Sequence, residues 1–161
     1  MTIIRYAISP GLMAAALLVS GCVGGEPPTT SGFAPKTRAE PQKSEIEERK
    51  DEIVRQLATC ESGGSGPSDR PIYGGRGAYV GRLQFSLQTV ISYQRMRDGT
   101  QLTRQEAAEL AHDYDRAASL AKYMIFDLEE PFHWPLCSRK VALRNEMAHI
   151  KQLSNQAALA R

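Results

Sequence analysis

Glu61 is the residue of this chain best placed to do chemistry. It follows Cys60 and precedes Ser62-Gly63-Gly64, so it falls on, or just past, the last turn of a helix that paired glycines bring to an end. A carboxyl group there faces the negative end of the helix dipole, which favours its protonated form and raises its pKa. A carboxyl that holds its proton toward neutral pH is a general acid, and once the proton is given away it is a base. Asp69 is the only other acidic side chain between Glu61 and Asp98, so a mechanism with two carboxylates would have to use it. Its setting, Pro67-Ser68-Asp69-Arg70-Pro71, reads instead as a turn with a local Asp-Arg pair. Taken by residue type alone, Glu61 reads rather as an exposed polar side chain at a helix end.

Other chemistries find less support. His112, His133 and His149 show no ligand spacing, so no metal site is expected, and no other cofactor is expected either. His112 with Asp113 and Asp115 reads as a solvated helix face. Lys and Arg total 20 against 18 Asp and Glu, a formal charge of +2, and no basic stripe points to nucleic acid.

The elements that must position Glu61 can be read from periodicity and caps. Ser44 and Glu47 form a capping-box pattern ahead of Ile46, Ile53, Val54, Leu57 and Ala58, which predicts a helix from about Glu45 to Cys60. The glycine-dense stretch from Gly63 to Gly81 predicts turns and at most a short hairpin around Tyr73 to Val80. A second helix is predicted from Ser86, its cap, to Asp98, burying Leu87, Val90, Ile91 and Met96 and closing at Gly99. Thr103 and Glu106 open a third helical region that keeps its spacing to about Leu128, with a break near Asp113, before Pro131 stops it. Phe132-His133-Trp134-Pro135-Leu136-Cys137 is expected to be an extended strap that returns Cys137 to Cys60. Ser138 to Ala160 reads as a last helix with a sparse apolar face.

The N-terminal part carries an address. Arg5 precedes an apolar run from Ala7 through Val19, broken only by Ser9, Pro10 and Gly11, which reads as a secretory signal. It ends in Val19-Ser20-Gly21-Cys22, which resembles the bacterial lipobox. That resemblance implies that Cys22 takes the lipid, acyl chains such as palmitate, and becomes the first residue of the mature protein. The expected location is a membrane-anchored lipoprotein facing the periplasm or cell wall, on the outer membrane if the host has two, since Val23 is not aspartate. Acyl methylenes contribute about 0.8 kcal/mol each when buried in lipid, so several chains hold durably. With Cys22 acylated, Cys60 and Cys137 are the only pair left, and an oxidising compartment favours their disulfide. Closing a loop of about 77 residues stabilises a fold by roughly 4 kcal/mol on the chain-entropy account. Val23 to Lys43, rich in Pro, Gly, Thr and Ser, reads as a tether reaching at most ~60 Å at ~3.1 Å per residue.

Cys60-Glu61-Ser62-Gly63-Gly64, then Leu83-Gln84-Phe85-Ser86 with Thr89, then Trp134-Pro135-Leu136-Cys137, together resemble the resuscitation-promoting-factor domain and, more broadly, the lysozyme-like lytic transglycosylases. The resemblance covers about Ile53 to Lys140. It implies a mainly α, lysozyme-like α+β domain over residues 44–140, after a signal at 1–21 and a tether at 22–43, with a C-terminal helix at 141–161. It implies cleavage of peptidoglycan glycan strands between MurNAc and GlcNAc, with Glu61 as catalytic acid and Gln84 and Thr89 facing the saccharide. Tyr73 and Tyr79 are candidates to stack on sugar faces, whereas Phe85 and Trp134 read as core. The chain departs from the family in a longer loop between Glu61 and Gln84, in Arg82 where glycine is usual, and in Val90 where tryptophan is usual. One carboxyl suffices for the non-hydrolytic route, because Glu61 can protonate the glycosidic oxygen and then take the proton of the C6 hydroxyl as a 1,6-anhydro ring closes. A hydrolytic muramidase would need Asp69 beside Glu61, and a non-catalytic wall-binding lipoprotein would keep the shape without the reaction.

Overall fold

The structure, a computed structural model, describes residues 39–159. The expected signal, Cys22 and the tether up to residue 38 lie outside the described residues. Helix α1 runs Ala39–Ser62, so it begins inside the stretch expected to be tether and includes Glu61 in its last turn. Ser44 caps nothing: its hydroxyl lies 3.3 Å from the Glu48 carboxylate, one turn further on. The Ser-x-x-Glu pattern is equally at home on the surface of a helix interior, and nothing upstream stops the helix. Pro41 falls in the first turn, where the amide that proline lacks has no intrahelical partner. The apolar stripe is buried as its spacing requires, Ile46, Ile53 and Val54 almost wholly and Leu57 and Ala58 with no exposed surface.

Local signals set the next three helices. In α2, Leu87–Asp98, the Ser86 hydroxyl accepts the Thr89 N–H at 3.1 Å. Its C-terminus closes at Gly99, whose φ of 80° is the left-handed conformation that favours glycine. Helix α3, Arg104–His112, opens with the full Thr103/Glu106 capping box. The break expected near Asp113 is real: Asp113 ends α3 and caps α4, Tyr114–Lys122, by accepting the Arg116 N–H at 3.2 Å. Helix α4 continues into a wide turn, Tyr123–Asp127, closed by the Leu128 N–H on the Tyr123 carbonyl at 3.1 Å.

Three expectations need correction. Met96 is 60% exposed, and Gln94 occupies the buried position on α2 instead. Gln94 lies one turn from Val90, on the same face, and its amide is satisfied by Asp98 and Arg97 at 2.6 and 2.9 Å. The strap is not extended throughout: Pro131–His133 forms a 3-10 turn, and Cys137–Lys140 a short helix, α5. Pro131 starts the turn because its fixed φ suits a helical first position, while Trp134, before Pro135, is held in a non-helical conformation. The last helix is interrupted at Ala142, whose φ is 50°, and resumes as α6, Leu143–Leu159. Its face is better filled than expected, since Leu143 and Ile150 enter the same core as Leu57, Leu83, Leu110, Leu120 and Met124. The boundary drawn at Lys140 therefore does not separate two packing units. Arg49 on α1 grips Glu146 on α6 with both ends of its guanidinium, at 3.0 and 2.7 Å.

The described residues form a mainly helical unit with one two-stranded antiparallel sheet among them, β1 (Tyr73–Gly74) with β2 (Tyr79–Val80), in the register Tyr73 to Val80 and Gly74 to Tyr79. Cys60 and Cys137 form a disulfide with Cα atoms 5.7 Å apart. Among the described residues no helix is long and apolar enough to cross a membrane.

Candidate functional site

Glu61 is half-buried in the last turn of α1, which ends as Gly63 takes φ 78° and returns its N–H to the Thr59 carbonyl at 2.9 Å. Burial holds the Glu61 carboxyl above its ordinary pKa, and the positive charge of Lys140 opposes part of that shift. No hydrogen bond or ion pair engages the carboxylate among the described residues. A carboxyl that is partly desolvated and unpartnered keeps its proton longer and has room to transfer it.

This has a consequence for stability whatever the reaction. The folded protein binds this proton more tightly than the unfolded chain, so the stability contributed by Glu61 is fully present below the ordinary glutamate range. It is lost as the pH rises through the raised folded value. Glu61→Gln is therefore expected to melt at a higher temperature than the wild type at pH 7, with the two curves converging at or below about pH 4. Thermal melts at the two pH values measure it, and a glutamine variant that melts lower at pH 7 contradicts the assignment.

Three contacts bring the sequence motifs together around the end of α1. Arg82 reaches back over the loop that follows Glu61: its Nε donates to the Gly66 carbonyl at 3.3 Å. Its guanidinium covers Gly64 so closely that a Cβ there would meet Nη1 at 2.8 Å. Next to Arg82, the Leu83 carbonyl accepts the Trp134 indole N–H at 2.8 Å. Three residues beyond Trp134, the disulfide returns to Cys60. Glu61, the glycine loop, the Gln84 turn and the strap thus form one closed circuit. Phe85 and Trp134 are core, each 2% exposed, with ring centroids 5.5 Å apart.

The expected substrate-facing residues divide. Gln84 adopts φ 50° and spends its amide on the fold, its Nε2 donating to the Gly81 carbonyl at 2.7 Å. Its Oε1 lies 1.7 Å from where a Cβ on Gly74 would be, so a side chain at position 74 would displace the Gln84 amide. Gly81 is constrained more tightly, because its φ is 77° and its Cβ position lies 1.8 Å from the backbone carbonyl of Ala111, so only glycine fits there. The Thr89 hydroxyl sits 2.7 Å from the Ser86 Oγ, inside the cap of α2. In the hairpin register, cross-strand partners share a face. Tyr79 therefore lies on the Gly74 face, where the Gln84 amide also sits, while Tyr73 lies on the Val80 face. Tyr73 meets the His112 ring edge-on, with centroids 5.2 Å apart. No hydrogen bond joins Glu61 to Gln84, Thr89, Tyr73 or Tyr79.

His112 is not the solvated residue its helix suggested. Its Nε2 is buried without a partner, and burial lowers its pKa. Helical spacing alone could not show that the hairpin folds over this end of α3. Asp69 is exposed and lines a cavity with His112 and Glu109, one that Glu61 does not line. A further cluster had no sequence signal beyond the three-residue spacing of Glu130 and His133. The Tyr93 hydroxyl donates to Glu130 and sits 2.7 Å from the His133 Nε2, and its own pKa is pushed up to about 12, mainly by burial. Among the described residues, no group of three or more His, Cys, Asp or Glu side chains could hold a metal ion.

Comparison with protein-family models, curated proteins and solved structures finds no match to this chain.

Proposed function

We propose that this chain is an exported, lipid-anchored enzyme of lysozyme-like fold that cuts peptidoglycan glycan strands between MurNAc and GlcNAc by the non-hydrolytic route. The observation that carries the reading is the state of Glu61: half-buried, unpartnered and held toward its protonated form at a helix end. Around it, Cys60, Arg82, Leu83, Trp134 and Cys137 join the three stretches that resemble the lytic transglycosylases. Glu61 protonates the glycosidic oxygen as the bond breaks. As carboxylate it then accepts the proton of the C6 hydroxyl, and the 1,6-anhydro ring closes. No cofactor enters. The lipid on Cys22 and the segment leading to α1 keep the folded unit beside the wall.

A hydrolytic reading needs a second carboxylate across the scissile bond. Asp69, its only nearby candidate in sequence, opens onto the separate cavity beside His112. The non-catalytic reading draws on one observation, that the Gln84 amide is already engaged with Gly81.

Mass spectrometry of muropeptides released from purified sacculi tests the proposal. The expected products carry 1,6-anhydroMurNAc ends. Reducing-end sugars alone would establish hydrolysis, and no release by the oxidised, folded protein would favour wall binding.

A further inference from the structure

A cavity of about 680 Å³ lies where the wide turn Tyr123–Asp127 and the residues after it meet α6. None of Glu61, Gln84, Thr89, Tyr73 and Tyr79 lines it. Its size falls within the roughly 300–1,000 Å³ of small-molecule sites. Ile125 and Ile150 form a buried apolar part of the lining, and Phe132, 61% exposed, adds an aromatic ring.

That ring is exposed but anchored. It lies tilted against His133, with centroids 4.6 Å apart, and His133 is held by the Tyr93 hydroxyl at 2.7 Å. Tyr93 also holds Glu130, so the residues on both sides of Pro131-Phe132 are fixed to α2. An aromatic ring positioned beforehand loses little entropy on binding.

The charges around the cavity are selective. Lys50 is paired with Glu47 at 2.8 Å and Lys151 with Glu129 at 2.6 Å. Arg144 makes neither an ion pair nor a hydrogen bond among the described residues, so its guanidinium offers a two-pronged donor that matches a carboxylate. Asp127, also on the lining, supplies an acceptor for hydroxyl groups.

We propose that this cavity is a second saccharide site, distinct from the Glu61 site, for an N-acetylated sugar carrying a carboxylate, with the sugar face on Phe132 and the carboxylate on Arg144. The identity of the ligand rests on the glycan-cleaving reading, whereas the cavity does not. Two sources share this chemistry, the intact strand and the soluble fragments released from it.

Titration calorimetry on the full-length Glu61→Gln protein in detergent separates the possibilities without turnover. The probes are N-acetylmuramyl-L-alanyl-D-isoglutamine, purified peptide-bearing glycan strands, and N,N′-diacetylchitobiose as a neutral sugar. Adding Arg144→Gln is expected to weaken muramyl dipeptide binding about tenfold and to leave diacetylchitobiose binding unchanged. Adding Phe132→Ala is expected to weaken both. Emission from Trp134, the only tryptophan and 2% exposed, reports that each variant is folded. Arg144-dependent binding of the dipeptide identifies soluble fragments as sufficient, and the same dependence seen only with strands identifies the polymer. Equal affinities in the parent and the Arg144→Gln protein overturn the proposal even if the wild type yields anhydro products. Arg144-dependent binding without any product from sacculi sustains this site and overturns the cleavage reading.

Discussion

Glu61→Gln is expected to slow release of anhydro-muropeptides from purified sacculi by about 10²–10⁴-fold, the range that loss of a positioned general acid-base costs. Glutamine preserves the shape of the side chain and its place in the last turn of α1, so binding to sacculi should persist while turnover is lost. The raised pKa of Glu61 gives the same experiment a pH axis. On the proposed route bond cleavage needs the protonated form, so wild-type kcat should fall as pH rises through the raised value. The residual rate of the glutamine variant should show no such limb. Asp69→Asn is the matching control: because Asp69 is exposed and lines a cavity that Glu61 does not, the transglycosylase reading expects its rate to stay within about twofold of wild type. A collapse of activity in Asp69→Asn, accompanied by reducing-end products, would move the chemistry to the two-carboxylate mechanism.

What the sequence made legible divides by the range of the interaction involved. Ser86, Gly99, Thr103 with Glu106, and the break at Asp113 were readable because each cap is satisfied within three or four residues of itself. Ser44 failed by the same logic, since a Ser-x-x-Glu pattern starts a helix only where the chain upstream is not already helical. Met96 and Gln94 exchanged places because a polar amide can be buried when Asp98 and Arg97 complete its hydrogen bonds, and composition does not count partners. Cys60 and Cys137 were identifiable only because the lipobox resemblance set Cys22 aside from the three cysteines. The division of Tyr73 from Tyr79 was hidden until the hairpin register was known, because a change of one residue sends a side chain to the opposite face. His112 was misjudged because its burial comes from a hairpin far from it in sequence. The same is true of the clasp that matters most for Glu61. Arg82 is read in sequence as a departure from the family, yet in space it is the residue that binds the loop after Glu61 to the Gln84 turn.

Removing the disulfide is the second large effect. Replacing both Cys60 and Cys137 with alanine releases a loop of 77 residues and is expected to cost roughly 4 kcal/mol of stability. At the ~1–3 kcal/mol per molar slope of urea unfolding, that moves the midpoint down by about 1.3–4 M. Replacing both residues avoids leaving a lone thiol in the core, where Cys137 is 6% exposed. The chain-entropy account assigns this loss to the unfolded chain, and on that account alone the folded variant should work at full rate. The geometry argues for more. Cys60 precedes Glu61 directly, α1 ends just after it, and the other sulfur belongs to the strap whose Trp134 holds the Leu83 carbonyl. Cutting the bond therefore opens the circuit at the point nearest the acid. The double alanine variant, assayed well below its unfolding midpoint, should lose kcat by about tenfold or more, because a displaced catalytic group is costly even when its pKa is unchanged. Full kcat in a folded, disulfide-free protein would mean that the bond acts only on the unfolded state, and that Arg82 and Trp134 are enough to position Glu61.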